Sequence, residues 1–192
     1  GGISMSSLKL KHSGGNSVII AAPSSNPAAD RTITLPSTDS GTLLTTTNPK
    51  PGNVIQVVQL NLDGAITTTS TSFIDVSGLT QNITTTGSNK VLVEVQLFVS
   101  NTGEHYYTFL KLLRGSTELQ ETVRMQDSSG GNSGGYVGMT VLDSPGAGTH
   151  TYKVQFRSEN SSKTAKIGMG GSATETYASM PDSIIRLMEI AV

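Results

Sequence analysis

Ser183-Ile-Ile-Arg-Leu-Met-Glu-Ile-Ala-Val192 decides how the rest of the chain is read. With the two-residue period of a strand, one face carries Ile184, Arg186, Met188, Ile190 and Val192. The other carries Ser183, Ile185, Leu187, Glu189 and Ala191. Both faces are mostly apolar. A strand with water on one side alternates apolar with polar, so this one is expected to have protein against both sides. One face then serves the chain's own core and the other a neighbouring subunit. Asn53-Val-Ile-Gln-Val-Val-Gln-Leu60 has the same two-faced character and is the expected partner strand. The pair assigns Ile55, Val57, Ile185, Leu187 and Glu189 to a subunit interface, with Glu189 in an intersubunit polar contact.

Composition supports an all-β reading. The 192 residues include 21 Gly and 7 Pro, long Ser/Thr-rich stretches, and few runs that sustain a helix. This length suits one main domain with a small accessory segment. Only 14% of residues are charged, the net charge is −1 and no Lys/Arg block occurs, so the footprint of a nucleic-acid binder is missing. With no cysteine there are neither disulfides nor thiolate metal sites, which leaves the compartment open. No apolar run reaches the length of a membrane span, so no membrane insertion is expected, and no signal peptide is legible. The chain begins Gly1-Gly2-Ile3-Ser4 rather than with Met.

Residues 1–50 read as short strands. Ser7-Leu-Lys-Leu-Lys-His12 and Ser17-Val-Ile-Ile-Ala-Ala22 flank the turn Ser13-Gly-Gly-Asn16, and Arg31-Thr-Ile-Thr-Leu-Pro36 and Thr42-Leu-Leu-Thr45 follow. They are too short and too polar to close a core alone, so they are expected to intertwine with other copies as a shaft. Thr46-Thr-Thr-Asn-Pro-Lys-Pro-Gly52 is an extended linker, and the border between the segments 1–50 and 51–192 falls there.

From Asn53 onward eight to ten strands follow at the spacing of a sandwich, which points to a jelly roll. The longest, Lys90–Val99, carries Val91, Val93, Val95, Leu97 and Val99 on one face. Thr149–Arg157 alternates most cleanly, with His150, Tyr152, Val154 and Phe156 inward and one wet side. Ser72–Val76 reads as a short strand. The first strand, 53–60, and the last, 183–192, are expected side by side.

Chemical motifs are weak. His12, His105 and His150 lack zinc-ligand spacing, and Asp127, Glu159, Glu175 and Asp182 lack the density of a calcium loop, so no metal and no cofactor are expected. Gly168-Met-Gly-Gly-Ser-Ala173 matches a dinucleotide fingerprint but opens no helix. Asn82-Ile-Thr84 and Asn160-Ser-Ser162 are chance glycosylation triplets in a Ser/Thr-rich chain. No catalytic residues are assigned, and an enzyme is not expected. The loops at 127–136, 158–163 and 170–180 are long and polar, and loops on a rigid sandwich often carry recognition. Asn132, Tyr136, Asn160 and Tyr177 are the candidate binding residues, since an aromatic beside amides suits sugar stacking.

Leu8-Lys-Leu-Lys-His-Ser-Gly-Gly-Asn-Ser-Val18, Ala21-Ala-Pro23, Arg31-Thr-Ile-Thr-Leu-Pro36 and Gly41-Thr-Leu-Leu-Thr45 resemble the repeating unit of bacteriophage tail-fibre shafts, of marine phages especially. Asn53-Val-Ile-Gln-Val-Val58, Lys111-Leu-Leu-Arg-Gly-Ser116, Leu142-Asp-Ser-Pro145, Thr151-Tyr-Lys-Val-Gln155 and Ile185-Arg-Leu-Met-Glu-Ile190 resemble the distal domains of such fibres, similar in plan to C1q- and TNF-like jelly rolls. The resemblance implies a homotrimeric virion fibre, made in the host cytoplasm and carried on the particle. Its N-terminal segment would join other virion proteins, and its head would contact a host surface glycan or protein. Two alternatives share the resemblance: a head fibre or capsid decoration protein, and a fibre that degrades polysaccharide, which would need paired carboxylates at a cleft.

Overall fold

The computed structural model describes residues 7–21, 49–103, 105–125, 134–169 and 182–192. The chain divides into two units, Gly1–Leu43 and Leu44–Val192. In the first, β1 (Ser7–Lys11) and β2 (Ser17–Ala21) form an antiparallel hairpin. Its turn is closed by the His12 N–H donating to Asn16 O at 2.7 Å and the Gly15 N–H to His12 O at 3.0 Å. Leu10, Ile19 and Ile20 are all more than half exposed, and two strands alone are marginally stable at best. The strands expected at 31–36 and 42–45 lie outside the described residues.

The second unit contains β3 (Val54–Leu62), β4 (Ile66–Thr68), β5 (Ile74–Thr85), β6 (Lys90–Asn101), β7 (Tyr107–Arg114) and β8 (Thr117–Met125). It continues with β9 (Gly135–Asp143), β10 (Gly148–Ser158), β11 (Ala165–Ile167) and β12 (Ser183–Ile190), and no helix occurs among the described residues. One sheet runs β3-β12-β6-β9, with β11 and β4 continuing from the far end of β6; the other runs β5-β10-β7-β8. Setting aside the three-residue β4 and β11, the first, last, third and sixth strands share one sheet. The second, seventh, fourth and fifth share the other, which is the jelly-roll sandwich. The first and last strands pair antiparallel over 54–62 and 183–190.

Alternation builds the core. Val91, Val93, Val95, Leu97 and Val99 of β6, with Ile185 and Leu187 of β12, pack against Leu110 and Leu112 of β7 and Tyr152, Val154 and Phe156 of β10. Each fully buried side chain of this kind contributes about 1.5–3 kcal/mol. Strand β5 is much longer than the short strand read at 72–76. Its register against β10 breaks between Asp75 and Thr80, where Gly78 takes φ 82°. That bulge turns both Val76 and Leu79 inward, which breaks the two-residue period, and the polar run beyond it continues the strand.

The two ends of the sandwich differ. At one, the chain enters at Asn53 beside Ala191, joined by Gly52 N–H to Ala191 O and Ala191 N–H to Asn53 O, both 2.9 Å. The connections there are short: 86–89, 115–116 and 144–147. At the other end the chain leaves and re-enters the sheets for the longer connections 63–73, 102–106, 126–134, 159–164 and 168–182. Two polar clasps tie the sheets at the short-turn end. The Tyr152 hydroxyl and Arg114 Nη1 both donate to Asp143 Oδ2 at 2.8 Å, joining β10 and β7 to β9. Burial, and then that bond, push the Tyr152 phenol well above its usual range, so it remains a neutral donor.

Glu189 forms the second clasp. Its carboxylate, 1% exposed, accepts from Gln56 Nε2 (2.6 Å), the Thr86 N–H (2.8 Å), Thr86 Oγ1 (3.2 Å) and Asn89 Nδ2 (2.8 Å). Burial works to raise its pKa, but these donors outweigh burial and hold the carboxyl below its ordinary value. The expectation of an intersubunit contact for Glu189 is therefore corrected: all its donors belong to its own chain. Ile185 and Leu187 are corrected with it. Both have no exposed surface within a single chain, because the face of β12 that carries them closes this sandwich.

Candidate functional site

The other face of β12 points outward, and with β3, β6 and β9 it forms a surface laid out in transverse rows. Val57, Met188, Leu92 and Leu142 are successive cross-strand partners across all four strands. Val57 is 53% exposed and Leu142 54%, and Val54 opposite Ile190 extends the row towards the short-turn end. Met188 and Leu92 between them are half-buried, and an aliphatic row that surfaces at both edges of a sheet is the kind of surface that marks a contact site. Of the residues assigned to an interface, Val57 lies in this row. Ile55 is the extra residue of a bulge, since Glu189 opposes Gln56 while Ile190 opposes Val54.

The next row is polar: Gln59, Arg186, Glu94 and Thr140. Arg186 Nη1 donates to Glu94 Oε2 at 3.2 Å and Arg186 Nε to Gln59 Oε1 at 2.8 Å. Beyond it stand Asn61, Ile184, Gln96 and Gly138, and then Phe98 beside Tyr136. Because residue 138 has no side chain, a depression of about 300 Å³ opens between Tyr136, Thr140, Gln96, Ile184 and the Arg186–Glu94 pair. Tyr136 is 55% exposed and meets Phe98 edge-on with ring centroids 5.4 Å apart.

On the opposite outer face, on β5-β10-β7-β8, the charges pair among themselves, and Val123 and Met125 of β8 stay partly exposed beside them. Lys111 Nζ reaches Glu118 at 2.6 Å and Glu121 at 3.2 Å and lies 4.5 Å from the Phe73 ring centroid. Lys153 and Gln155 hold Asp75 at 2.9 and 2.7 Å, and Gln155 first, then Lys153, lower its pKa. The Arg157 guanidinium lies 3.7 Å from the Phe109 centroid and 5.2 Å from that of Phe73.

Of the four candidate binding residues, Tyr136 lines the depression. Asn160 does not: its Oδ1 accepts from the N–H (2.8 Å) and hydroxyl (2.9 Å) of Ser162, and its backbone carbonyl accepts from Lys163 N–H and Ser158 Oγ. It builds its own turn at the long-loop end. Asn132 and Tyr177 lie outside the described residues, in connections that leave and return at that end. Sequence reading passed over Leu92, Leu142, Met188 and Gly138. The signal was available in β6, where Leu92, Glu94, Gln96 and Phe98 sit opposite five buried aliphatics, but the cross-strand register that makes rows of such residues is not local information.

The described residues hold no cluster of three or more His, Asp or Glu side chains that would suit a metal ion. No protein-family model matches this sequence, and no curated protein matches it. The fold defines the chain as a jelly-roll β-sandwich protein with one outer face crossed by an aliphatic row, the bare face, and one whose charges pair among themselves, the sealed face.

Proposed function

We propose that this chain is a non-enzymatic virion fibre protein of bacteriophage type, homotrimeric, whose jelly-roll head adheres to the host cell surface. The observation that carries the reading is the aliphatic row Val57–Met188–Leu92–Leu142, left bare on the sheet that holds the first and last strands. Covering that row with another copy removes exposed aliphatic surface of the head from water, and a cyclic arrangement closes without leaving a free patch. The subunit contact thus uses the short-turn end of the outward face of β12, with Met188 and Ile190.

Two further features support the reading. The hairpin β1–β2 exposes Leu10, Ile19 and Ile20, which suits a shaft completed by other copies. In the head, the chain enters at the short-turn end, and the strands that lead into the longer connections end at the opposite end, where a distal contact surface belongs. Three identical weak sites on one rigid head add avidity without a strong individual site. Light scattering of the full chain under native conditions is expected to give three times the 20.0 kDa chain mass, with attachment to bacterial cells in a binding assay. A 20.0 kDa species would overturn the trimer, and failure to attach to any of a panel of marine bacteria would overturn adhesion.

A further inference from the structure

The depression beside Tyr136 has a chemistry that the aliphatic row does not need. Its floor is open at Gly138, where a Cβ would meet nothing nearer than the Val95 carbonyl oxygen at 3.9 Å. One wall is the half-exposed Tyr136 ring, fixed by Phe98, whose own ring occupies the space a side chain at Gly134 would fill. The other walls offer paired polar atoms on planar groups, the Gln96 amide, the Glu94 carboxylate and the Arg186 guanidinium, together with the Thr140 hydroxyl.

The ligand class follows from charge and polarity. Arg186 and Glu94 neutralise each other at 3.2 Å, so an anion or a cation entering the groove would have to break that pair. A purely apolar group would strip water from the amide, hydroxyl and ion pair and return no hydrogen bonds. A ring with one apolar face and a rim of hydroxyls satisfies both sides. Its face stacks on Tyr136, and adjacent hydroxyls bridge groups that donate and accept. The volume of about 300 Å³ lies at the lower end of the range of about 300–1,000 Å³ for small-molecule sites, which suits a terminal sugar better than a long oligomer.

We infer that this groove binds a neutral pyranose of a surface glycan, with Tyr136 as the stacking wall and Gln96, Thr140, Glu94 and Arg186 sorting its hydroxyls. The inference rests on the adhesion reading above and gives it a ligand class. Binding to the full chain is measured by ligand-observed NMR with methyl glycosides of neutral hexoses and, as a charged counterpart, a methyl glucuronoside. Saturable binding of a neutral glycoside is expected, about tenfold tighter than the glucuronoside. Gly138→Val, which fills the floor from a position free of clashes, is expected to weaken binding about tenfold or more with an unchanged melting temperature. Tyr136→Ala is expected to do the same by removing the stacking wall. Wild type that binds no neutral glycoside, or Gly138→Val that binds as wild type does, would overturn the inference. Attachment of the protein to bacteria separates the two readings. Attachment that neither hexoses nor Gly138→Val reduce leaves adhesion standing and removes the groove. Glycoside binding without attachment to cells keeps the groove and removes adhesion.

Discussion

On the outer face of β5-β10-β7-β8, Lys111, Lys153 and Arg157 are held by Glu118, Glu121, Asp75 and the rings of Phe73 and Phe109. On the outer face of β3-β12-β6-β9, Arg186 and Glu94 form one such pair. The row beside it, Val57, Met188, Leu92 and Leu142, has no polar cover. Both surfaces come from strands with the same alternation, and the difference lies in what the outward positions carry. A face that satisfies its own charges is finished in water. A face that ends in exposed aliphatics is finished by something else, and a second and third copy are the occupants proposed above.

Substitutions sharpen this contrast, beginning with the two sides of β12. Ile185→Ala removes buried surface beneath the bare face and is expected to lower unfolding free energy by about 2–5 kcal/mol in a denaturant titration, while Met188→Ala on the outward side of the same strand costs far less. Equal losses would mean that the inward and outward assignments are wrong. The next effect in size is at Glu189. Glu189→Gln places an amide donor among donors, with an expected cost of about 1–3 kcal/mol at neutral pH. The folded-state pKa of Glu189 lies below its ordinary 4.5, so its contribution is in full force above that value. It is lost as the pH falls through the folded-state pKa. The gap between wild type and Glu189→Gln should therefore narrow in acid, and a gap that widens would contradict the clasp.

Smaller effects on stability separate the faces directly. Leu142→Glu, on the bare face, is expected to shift unfolding of the isolated chain by no more than about 0.5 kcal/mol yet weaken assembly at a given concentration in sedimentation. Assembly unchanged by this charge would remove the row from the contact. On the sealed face, a double-mutant cycle on Asp75 and Lys153 is expected to return a coupling of about 0.2–1 kcal/mol that fades with salt, with no change in mass.

Much of this fold was legible in the sequence because strand alternation is a local signal. The inward set of β6, the wet side of β10 and the pairing of the first and last strands all followed from which residues are apolar at every second position. What escaped was non-local. Ile185, Leu187 and Glu189 sit on one face of β12, and period alone shows that the two faces differ without showing which one turns inward. Glu189 reads as an intersubunit contact until Thr86 and Asn89, a hundred residues earlier, supply its donors. Strand β5 was cut short because the bulge at Gly78 puts Val76 and Leu79 on one side, which no fixed period anticipates. Gly138 looked like one glycine among many, and it gains meaning only beside Tyr136 and Gln96 across the register.

The chain contains no cysteine, so a single introduced thiol reports one position cleanly. Nitroxide labels at Leu142→Cys on the bare face and, in a separate sample, at Val123→Cys on the sealed face, read by pulsed dipolar EPR, measure the separation between copies. The account predicts a three-spin signal in both, with a markedly shorter distance for Leu142→Cys. No intermolecular coupling at either position, or a shorter distance for Val123→Cys, would contradict the claim that the row across β3-β12-β6-β9 faces the other subunits.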